Sequence, residues 1–322
     1  MLSEKPLVSI ITPSFNQAGY LEQAIQSVLA QDYENIEYWV MDGGSTDGSL
    51  ELLQRYDSRL SGWVSEPDNG QGEAINKGFA KARGEIVAWL NSDDIYKPGA
   101  IAAAVEAFRI HPEAAFVYSD VESIDEHGRP FNRMRYANWG LAGLLQFKII
   151  GQPGVFIRRD LLERVSGLDP YYHYILDHKL WLELAALAEP RYIPGQVWAQ
   201  ARMHSGAKNM AAAEKFGPEA FRLAKWIGNE ERFYPLNAQL HRRIWAGAYR
   251  FYAFYLVEAG QPREALAMYR HSLRLKPNPA LRDWKRIALA FASTLGLGKL
   301  RKPLDWLRRR AYKAKAKGGK DA

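Results

Sequence analysis

Two neighbouring carboxylates, Asp93 and Asp94, follow the apolar run Glu85–Leu90 after only Asn91 and Ser92. Carboxylates this close repel each other unless a cation or a network of hydrogen bonds relieves the charge. A hard divalent ion, held by one or two carboxylates together with the phosphates of a substrate, is the usual solution. The alternative is structural, with Asp94 capping the turn that follows. We favour the metal site, because polar clusters also follow two other predicted strands.

The Gly-rich segment Asp42–Gly48 follows a second apolar run, Ile36–Met41. Its two glycines, Gly43 and Gly44, let the backbone approach a ligand closely. Asp42 could accept hydrogen bonds from the base edge or the ribose of a nucleotide. Asp47 is instead placed to cap the next helix, which is a structural role.

The elements that must position these residues alternate between strands and helices. Such alternation predicts a mostly parallel sheet with helices on both faces, in which ligands bind at the carboxyl ends of the strands. Three polar clusters, Pro13–Asn16, Asp42–Asp47 and Asn91–Asp94, follow predicted strands and should converge on one crevice. The predicted strands are Leu7–Thr12, Ile36–Met41, Glu85–Leu90 and Ala114–Tyr118, and the predicted helices are Ala18–Gln31, Ala74–Arg83 and Ala100–Ile110.

Beyond Arg191 the strand signals fade, and from Glu214 onward the pattern is helical. The segments Leu240–Glu258 and Arg263–Leu275 resemble one tetratricopeptide unit, which cannot stand alone and should pack on its neighbours. We therefore predict an α/β catalytic domain over residues 1–212 and a helical region over 213–279. A basic amphipathic tail, with a disordered end, should occupy residues 280–322.

Composition limits the classes of function. The chain has 322 residues and no Cys, which excludes disulfides, thiolate metal sites and Cys nucleophiles. The net charge is +7, but residues 276–322 carry 14 Lys/Arg against 3 Asp/Glu, so the remainder is slightly acidic. This distribution argues against a nucleic-acid-binding body and for an anionic partner of the tail. No signal peptide or membrane span is evident, so we expect a cytoplasmic protein.

The ordered set of motifs resembles the family 2 glycosyltransferases over about the first two-thirds of the chain. The resemblance implies a GT-A fold, which is an α/β architecture. It also implies an inverting reaction, in which a sugar is moved from a nucleoside-diphosphate sugar to a hydroxyl acceptor, and a UDP-sugar is the favoured donor. It also implies a metal cofactor, Mn²⁺ or Mg²⁺, and a glycan or lipid-linked glycan acceptor in cell-surface polysaccharide or glycolipid synthesis. The matching segments are Thr12–Asn16, Asp42–Gly48, Asp68–Gly78, Trp89–Asp94, Gln152–Pro153, Asp177–Trp181 and Arg202–His204.

The same resemblance assigns the donor site. Pro13, Phe15 and Asn16 are similar to the floor of the nucleotide pocket, and Asp42 to the acid that recognises the base. Asn91, Ser92 and Asp93 occupy the Asp-x-Asp slot, in which Asp93 would bind the metal that bridges the diphosphate. Asn91 departs from the Asp that often stands first in that motif.

Asp177 stands where the family has its general base. An inverting transfer needs one carboxylate to take the acceptor proton. The apolar pattern after Asp177 predicts a helix, so the alternative is an N-cap. Many family members carry a second acid just before this position, where this chain has Leu176.

Four further residues are candidates for the site, and three of them have two interpretations each. Arg202 and His204 resemble a late Arg-x-His motif, in which the Arg would lie near the diphosphate and the His would complete the metal shell or be structural. Gln152 would meet the acceptor or the donor sugar. Lys77 would reach the nucleotide or face solvent.

Other functions are weighed against this one. A sugar nucleotidyltransferase would need a cationic loop after the first strand, where this chain has Ser14–Gln17. A non-catalytic adaptor would act through the helical region, although Asp93 and Asp177 are present. The basic tail could be a solvated helical cap, a segment lying on an anionic membrane at the inner face of the plasma membrane, or a site for a partner protein or nucleic acid. Of these partners we expect no nucleic acid.

Overall fold

The computed structural model describes residues 2–204, 206–208 and 212–297. Its strands form one mixed sheet of nine strands, with the order β3-β2-β1-β4-β8-β6-β9-β5 and with β7 paired to β6. The strands are β1 Val8–Ser14, β2 Ile36–Asp42, β3 Gly62–Ser65, β4 Ile86–Trp89, β5 Ile95–Tyr96, β6 Phe116–Asp125, β7 Pro130–Met134, β8 Val155–Arg158 and β9 Arg191–Met203.

Twelve α-helices accompany the sheet within the described ranges. They are α1 Ala18–Leu29, α2 Ser49–Tyr56, α3 Gln71–Lys81, α4 Ala100–Ile110, α5 Gly140–Leu145, α6 Arg159–Arg164, α7 Leu176–Leu187, α8 Phe216–Asn229, α9 Tyr234–Glu258, α10 Pro262–Leu275, α11 Pro277–Leu281 and α12 Trp284–Thr294. None of these described helices combines the length and the hydropathy that crossing a bilayer requires.

The strands β3, β2, β1 and β4 are parallel and form half of the sheet. Every residue of β1 is buried, as expected of a central parallel strand covered on both faces. The helix α3 lies so close to β1 that a Cβ atom at Gly78 would overlap Ile11. The predicted strands β1, β2 and β4 and the helices α1, α3 and α4 are confirmed, within a few residues at their ends.

The remaining part of the sheet contains antiparallel pairs. The strand β4 pairs with β8, β8 with β6, and β9 with β5 in this way. The expectation that strands fade after Arg191 is wrong, since β9 runs for 13 residues. Pro194 and a left-handed Gly195 interrupt its apolar pattern, and its residues are mostly half-exposed, so the usual strand signal is weak there.

The chain divides into two compact units. The first consists of the residues up to Ser123, Arg133–Leu141 and Ile150–Arg202, and the second of Ile124–Asn132, Ala142–Ile149 and the residues from Met203 onward. Every predicted site residue except His204 belongs to the first unit. The domain boundaries at residues 212 and 279 remain predictions.

The second unit is built mainly from helices. The helices α9 and α10, joined by the short turn 259–261, bury Leu256, Val257 and Tyr269 between them, and α11 and α12 add Ala280 and Ala290 to this cluster. The helix α8 packs alongside, with Phe216 stacked on Tyr255 at 3.8 Å between ring centroids. The expectation that the tetratricopeptide-like pair packs on its neighbours is therefore confirmed. Residues 298–322, which hold most of the predicted basic tail, lie outside the described residues.

Candidate active site

The polar segments that follow β1 and β2 are tied together at one edge of the sheet. The register pairs Ser14 with Asp42, so the two strands end side by side. Asn16 adopts a left-handed conformation with φ of 51°, which Asn tolerates better than most residues. Its N–H donates to Ser45 Oγ at 2.7 Å, and its Oδ1 accepts from the N–H of Thr46 at 2.9 Å. Asn16 thus joins the segment after β1 to the Gly-rich segment after β2.

Next to Asn16, the Phe15 ring is 59% exposed, whereas Pro13 is buried within β1. An exposed aromatic ring at the carboxyl end of a central strand is a suitable surface for stacking a flat ligand. Pro13 instead contributes to the buried strand that carries this ring. Whether either residue touches a nucleotide stays a prediction.

Asp42 is buried, and its carboxylate shapes its own loop. The Oδ2 atom accepts from the N–H groups of Gly44 and Ser45 at 3.1 and 2.8 Å, and from Ser65 Oγ at 2.7 Å. The Oδ1 atom accepts from Ser45 Oγ at 2.5 Å. These four bonds use most of the acceptor capacity of a carboxylate. Asp42 therefore fixes the conformation of its own loop, and its contact with a base stays a prediction.

Asp47 joins the starts of two helices, in keeping with its predicted structural role. Its Oδ2 accepts from the N–H of Ala18 at 2.9 Å, and its Oδ1 accepts from the N–H of Ser49 at 3.2 Å. The N-cap position of α2 is occupied by Gly48, so Asp47 acts from one residue further out. Burial alone would raise the pKa of Asp47, but a hydrogen bond from the Ser49 hydroxyl at 2.6 Å, together with these two backbone bonds, outweighs it and holds the pKa below its usual range.

Asp68 is a site residue to which the sequence assigned no role. A Cβ atom at Gly43 would lie 2.7 Å from Asp68 Oδ2, so this carboxylate lies against the Gly-rich loop. Its Oδ1 accepts from the N–H of Gly70 at 2.7 Å. The signal in the sequence was its position at the head of the segment Asp68–Gly72. This segment follows β3 after Glu66 and Pro67, and β3 was not among the predicted strands.

The two carboxylates after β4 have different surroundings. Asp94 is buried, and its Oδ1 accepts from the N–H of Arg202 at 3.0 Å, while its Oδ2 accepts from Asn91 Nδ2 at 3.1 Å. Burial and the neighbouring Asp93 carboxylate raise the pKa of Asp94 well above its usual range. Asp94 therefore joins the turn to β9. Asp93 is half-exposed.

Asn91 is the centre of a network of side-chain amides. Its Oδ1 accepts from Gln71 Nε2 at 2.6 Å, and its Nδ2 donates to Gln152 Oε1 at 3.2 Å as well as to Asp94. Gln152 in turn donates from Nε2 to the carbonyl of Trp89 at 2.7 Å. Residues from α3, from the turn after β4 and from the turn before β8 are thereby joined. Ser92, within the same turn, is buried.

Arg202 comes to this turn from β9, because β9 pairs with β5 directly after Asp94. Its Nε donates to the carbonyl of Asp93 at 3.0 Å, and its Nη2 donates to Gln23 Oε1 at 2.8 Å. The guanidinium lies 4.9 Å from the ring centroid of Tyr20 on α1. A buried cation is thus held beside the backbone of the predicted metal ligand. His204 belongs to the second unit, and its role as a metal ligand stays a prediction.

Lys77 is engaged on α3 by two acids. Its Nζ lies 2.8 Å from Glu66 and 2.9 Å from Glu73, and both pairs raise the pKa of Lys77 above its usual range. The Lys77 ammonium is thus held by two acids that are not among the predicted site residues. Its reach to a nucleotide remains a prediction.

Asp177 lies in the first turn of α7, one position inside the helix start. The N-cap is Ile175, so the alternative of Asp177 as N-cap is wrong. Its Oδ1 accepts from the N–H of His178 at 2.7 Å. The same helix is anchored by the buried ammonium of Lys179, which lies 2.7 Å from Glu183 and 3.7 Å from Asp169.

The donor chemistry of Asp93 fits the implied metal. A half-exposed carboxylate at the strand end offers hard oxygen ligands, and Mg²⁺ at phosphate-transfer sites is held by one or two carboxylates with substrate phosphates. Across the part of the chain that the structure describes, no group of three or more His, Cys, Asp or Glu side chains could hold a metal ion. Asp93 would hold Mn²⁺ or Mg²⁺ together with a bound diphosphate.

Comparison with solved structures identifies the fold. S. aureus TarS residues 1–349, solved in complex with UDP-GlcNAc, is 17% identical with a TM-score of 0.62, over 90% of this chain and 92% of that chain. The mannosyltransferase PcManGT from Pyrobaculum calidifontis, solved with GDP-Man and Mn²⁺, is 19% identical with a TM-score of 0.62, over 95% of this chain and 85% of that chain. The expected GT-A fold is confirmed.

Comparison of sequences identifies the family. The family model described as Glycosyl transferase family 2 matches residues 9–164. TuaG of Bacillus subtilis, which is named for teichuronic acid biosynthesis, is 31% identical over 208 residues, which are 63% of this chain and 81% of that protein. The chain spans only 54% and 36% of the length of two other relatives, uncharacterized glycosyltransferases of Nostoc and of Rickettsia felis. With these motifs on this fold, the chain belongs to glycosyl transferase family 2.

Proposed function

We propose that the chain is a metal-dependent, inverting glycosyltransferase that moves a sugar from a nucleoside-diphosphate sugar, with a UDP-sugar favoured, to a hydroxyl group. The observation that carries the proposal is that the parallel strands β2, β1 and β4 end at one edge of the sheet, where Asn16 bonds to Ser45 and Arg202 bonds to Asp93. A nucleotide-sugar donor is supported by the complexes of TarS with UDP-GlcNAc and of PcManGT with GDP-Man and Mn²⁺.

In this proposal the nucleotide lies over the ends of β1 and β2. The exposed ring of Phe15 stacks on the base, which is a contact that tolerates any base. The loop shaped by Asp42 brings backbone groups close to the ribose, and Asp68 adds a carboxylate beside Gly43. Asn16 keeps the two loops at a fixed separation.

The diphosphate lies near Asp93 and Arg202. When bound, Mn²⁺ or Mg²⁺ supplies positive charge that stabilises the diphosphate as it leaves. Asp93 holds the cation, and Arg202 adds a second positive charge beside the Asp93 backbone. The amide network of Asn91 and Gln152 keeps the turn in place.

Asp177 takes the proton in the chemical step. The acceptor oxygen forms a bond to C1 of the sugar on the face opposite the diphosphate, and the hydroxyl proton passes to the Asp177 carboxylate. The bond between C1 and the diphosphate oxygen breaks, and its electron pair leaves with the nucleotide. Attack on the opposite face inverts the configuration at C1.

The acceptor that we propose is a glycan or a lipid-linked glycan, used in the synthesis of a cell-surface polysaccharide or glycolipid. This proposal is supported by the name of TuaG and by that of the O-antigen biosynthesis protein RfbC of Myxococcus xanthus, of which this chain covers 15%. We propose that the reaction takes place in the cytoplasm, at the inner face of the plasma membrane.

The test is calorimetric titration of UDP, GDP and dTDP, each with and without Mn²⁺, into the wild-type chain, Asp93→Asn and Asp160→Asn. Asp160 is an exposed carboxylate that forms an ion pair with Arg158. Arg158 lies beside Ile86 at the start of β4, so this pair is at the edge of the sheet opposite to Asp93. We expect UDP to bind at least about tenfold more tightly with Mn²⁺, and Asp93→Asn alone to remove this gain. Absence of nucleotide binding in the wild type, or equal metal dependence in Asp93→Asn, would contradict the proposal.

A further inference from the structure

The helix α12 has one covered face and one open face. Ile287 and Ala290 pack into the cluster that α9 and α10 form in the second unit. On the other side, Trp284, Ala288, Phe291 and Leu295 follow one another at intervals of four, three and four residues, which places them on a single face. We call these four residues, together with the preceding Leu281, the apolar stripe.

The apolar stripe is unusually exposed. Trp284 is 60% exposed, Phe291 59% and Leu295 63%. Among the described residues, nine large apolar side chains are strongly exposed, and five of them lie between Leu281 and Leu297. Exposed apolar residues scattered singly are ordinary, but a contiguous set rich in aromatic rings marks an interaction surface.

Positive charge surrounds the apolar stripe. Lys285 lies next to Trp284, with its ammonium 5.6 Å from the indole centroid, and Arg282 is also exposed. The following residues, 298–322, contain 10 Lys/Arg and 2 Asp/Glu, a net charge of +8. The occupant of this surface must therefore be both apolar and anionic.

We propose that the apolar stripe binds the surface of an anionic lipid bilayer. Residues 298–322, or a second copy docked through the same apolar stripe, would bring further positive charge against Lys285 and Arg282, so neither is complementary. An anionic bilayer takes the rings of Trp284 and Phe291 at the boundary between headgroups and acyl chains, with the basic residues at the headgroups. Each Lys or Arg near such a surface adds about 1 kcal/mol of attraction.

Lipid binding by the apolar stripe does not depend on the proposed chemistry, because it is measured without any sugar donor. If the acceptor is lipid-linked, the same surface would keep the enzyme where its substrate lies. Failure of lipid binding would leave the nucleotide titration untouched, and failure of the titration would leave lipid binding untouched.

The experiment is flotation of the full chain with vesicles of phosphatidylcholine alone and of phosphatidylcholine with about 30% phosphatidylglycerol. The test variant is W284S/F291S, and the matched control is I110S/Y171S. The control removes two apolar side chains that are 64% and 76% exposed in the first unit. All four positions are exposed, so the fold should survive, which circular dichroism verifies.

We expect the wild type and the control to float with the anionic vesicles only, and more weakly at about 0.5 M than at about 0.1 M salt. The partition coefficient of W284S/F291S should fall at least about tenfold. Equal flotation of W284S/F291S and wild type, or no flotation of the wild type with anionic vesicles, would overturn the proposal. A sedimentation experiment that shows self-association of the wild type, lost in W284S/F291S without any lipid binding, would overturn it in favour of an interface between copies.

Discussion

The indole ring of Trp89 stacks on that of Trp181, with centroids 5.3 Å apart and an interplanar angle of 21°. Trp89 ends β4, just before the turn with Asp93, and Trp181 lies one helical turn after Asp177 on α7. Residues separated by four positions share a helix face, so the stack lies beneath the predicted base. The ring of Phe116, on β6 of the sheet, packs on that of Trp181 with centroids 5.1 Å apart and supports the stack. The two predicted reactive carboxylates are therefore held by segments that one pair of rings joins.

The first prediction concerns Trp181→Phe. Loss of part of the stack should destabilise the fold by about 2 kcal/mol, below the roughly 3–5 kcal/mol of a truncation to Ala. Turnover of the donor should fall more than its affinity, because α7 carries the predicted base and not the nucleotide pocket. Urea unfolding and steady-state kinetics measure the two effects. Trp198→Phe, an equal loss of volume at another buried Trp, should reduce stability without this excess loss of turnover. Equal loss of turnover in both variants would count against the coupling.

The second prediction concerns Asn91→Asp, which restores the acid often found at this position in the family. The amide Nδ2 of Asn91 donates to a carboxylate oxygen of Asp94 and to the amide oxygen of Gln152. A carboxylate at position 91 has no such donor, so its oxygen would face these two acceptor oxygens. We expect a loss of about 1–3 kcal/mol in the free energy of unfolding, with no gain in metal-dependent UDP affinity. Thermal melting and calorimetry measure both, and Asn91→Ser separates the lost bonds from the added charge. A tighter metal-dependent complex at unchanged stability would show that Asn91 is not needed as a donor.

The third prediction concerns Asp177→Asn. If Asp177 takes the acceptor proton, its amide cannot, and turnover should fall about 10²–10⁴-fold. Affinity for the nucleotide should remain within about threefold of wild type, because the nucleotide site lies at other segments. Release of the nucleotide from the donor sugar, with water as acceptor, measures turnover without a known glycan. Equal turnover in wild type and Asp177→Asn would remove Asp177 from the mechanism.

The fourth prediction concerns the pH dependence of stability through Glu37. Burial alone would raise the pKa of Glu37, but hydrogen bonds from the Arg83 N–H and guanidinium and from the Ser9 hydroxyl outweigh it and hold the pKa below its usual range. A depressed pKa adds stability that is complete above the unfolded value of about 4.3 and disappears as pH falls through the folded value.

The stability advantage of wild type over Glu37→Gln should thus be constant at neutral pH and shrink below about pH 4.3. Chemical unfolding at a series of pH values measures the difference. Glu34→Gln, the same change at an exposed position just before β2, serves as the control for the substitution itself. A difference between wild type and Glu37→Gln that is independent of pH would contradict the assignment.

Some features were predictable because they depend on neighbouring residues. Buried parallel strands are continuous apolar runs, as in β1 and β4, and short polar segments with Gly mark where they end. Strands of another kind were missed. The strand β3 is a short edge strand of four half-buried residues, and β9 contains Pro194 and Gly195. Neither strand therefore has the continuous apolar run from which a strand can be predicted.

The sequence by itself determined the alternation of strands and helices, the position of three polar clusters at strand ends, and membership of the family through ordered motifs. Only the tertiary structure decided how the individual side chains are used. Asp94 meets Arg202 across 108 positions of the chain, Asn91 meets Gln152 across 61, and Trp89 meets Trp181 through the packing of α7 on the sheet. The physical reason is that hydrogen bonding and ring packing need residues to be close in space. The antiparallel pairing of β8 with β4 and of β9 with β5, and the packing of α7, bring distant segments together, and local sequence patterns do not encode these long-range contacts.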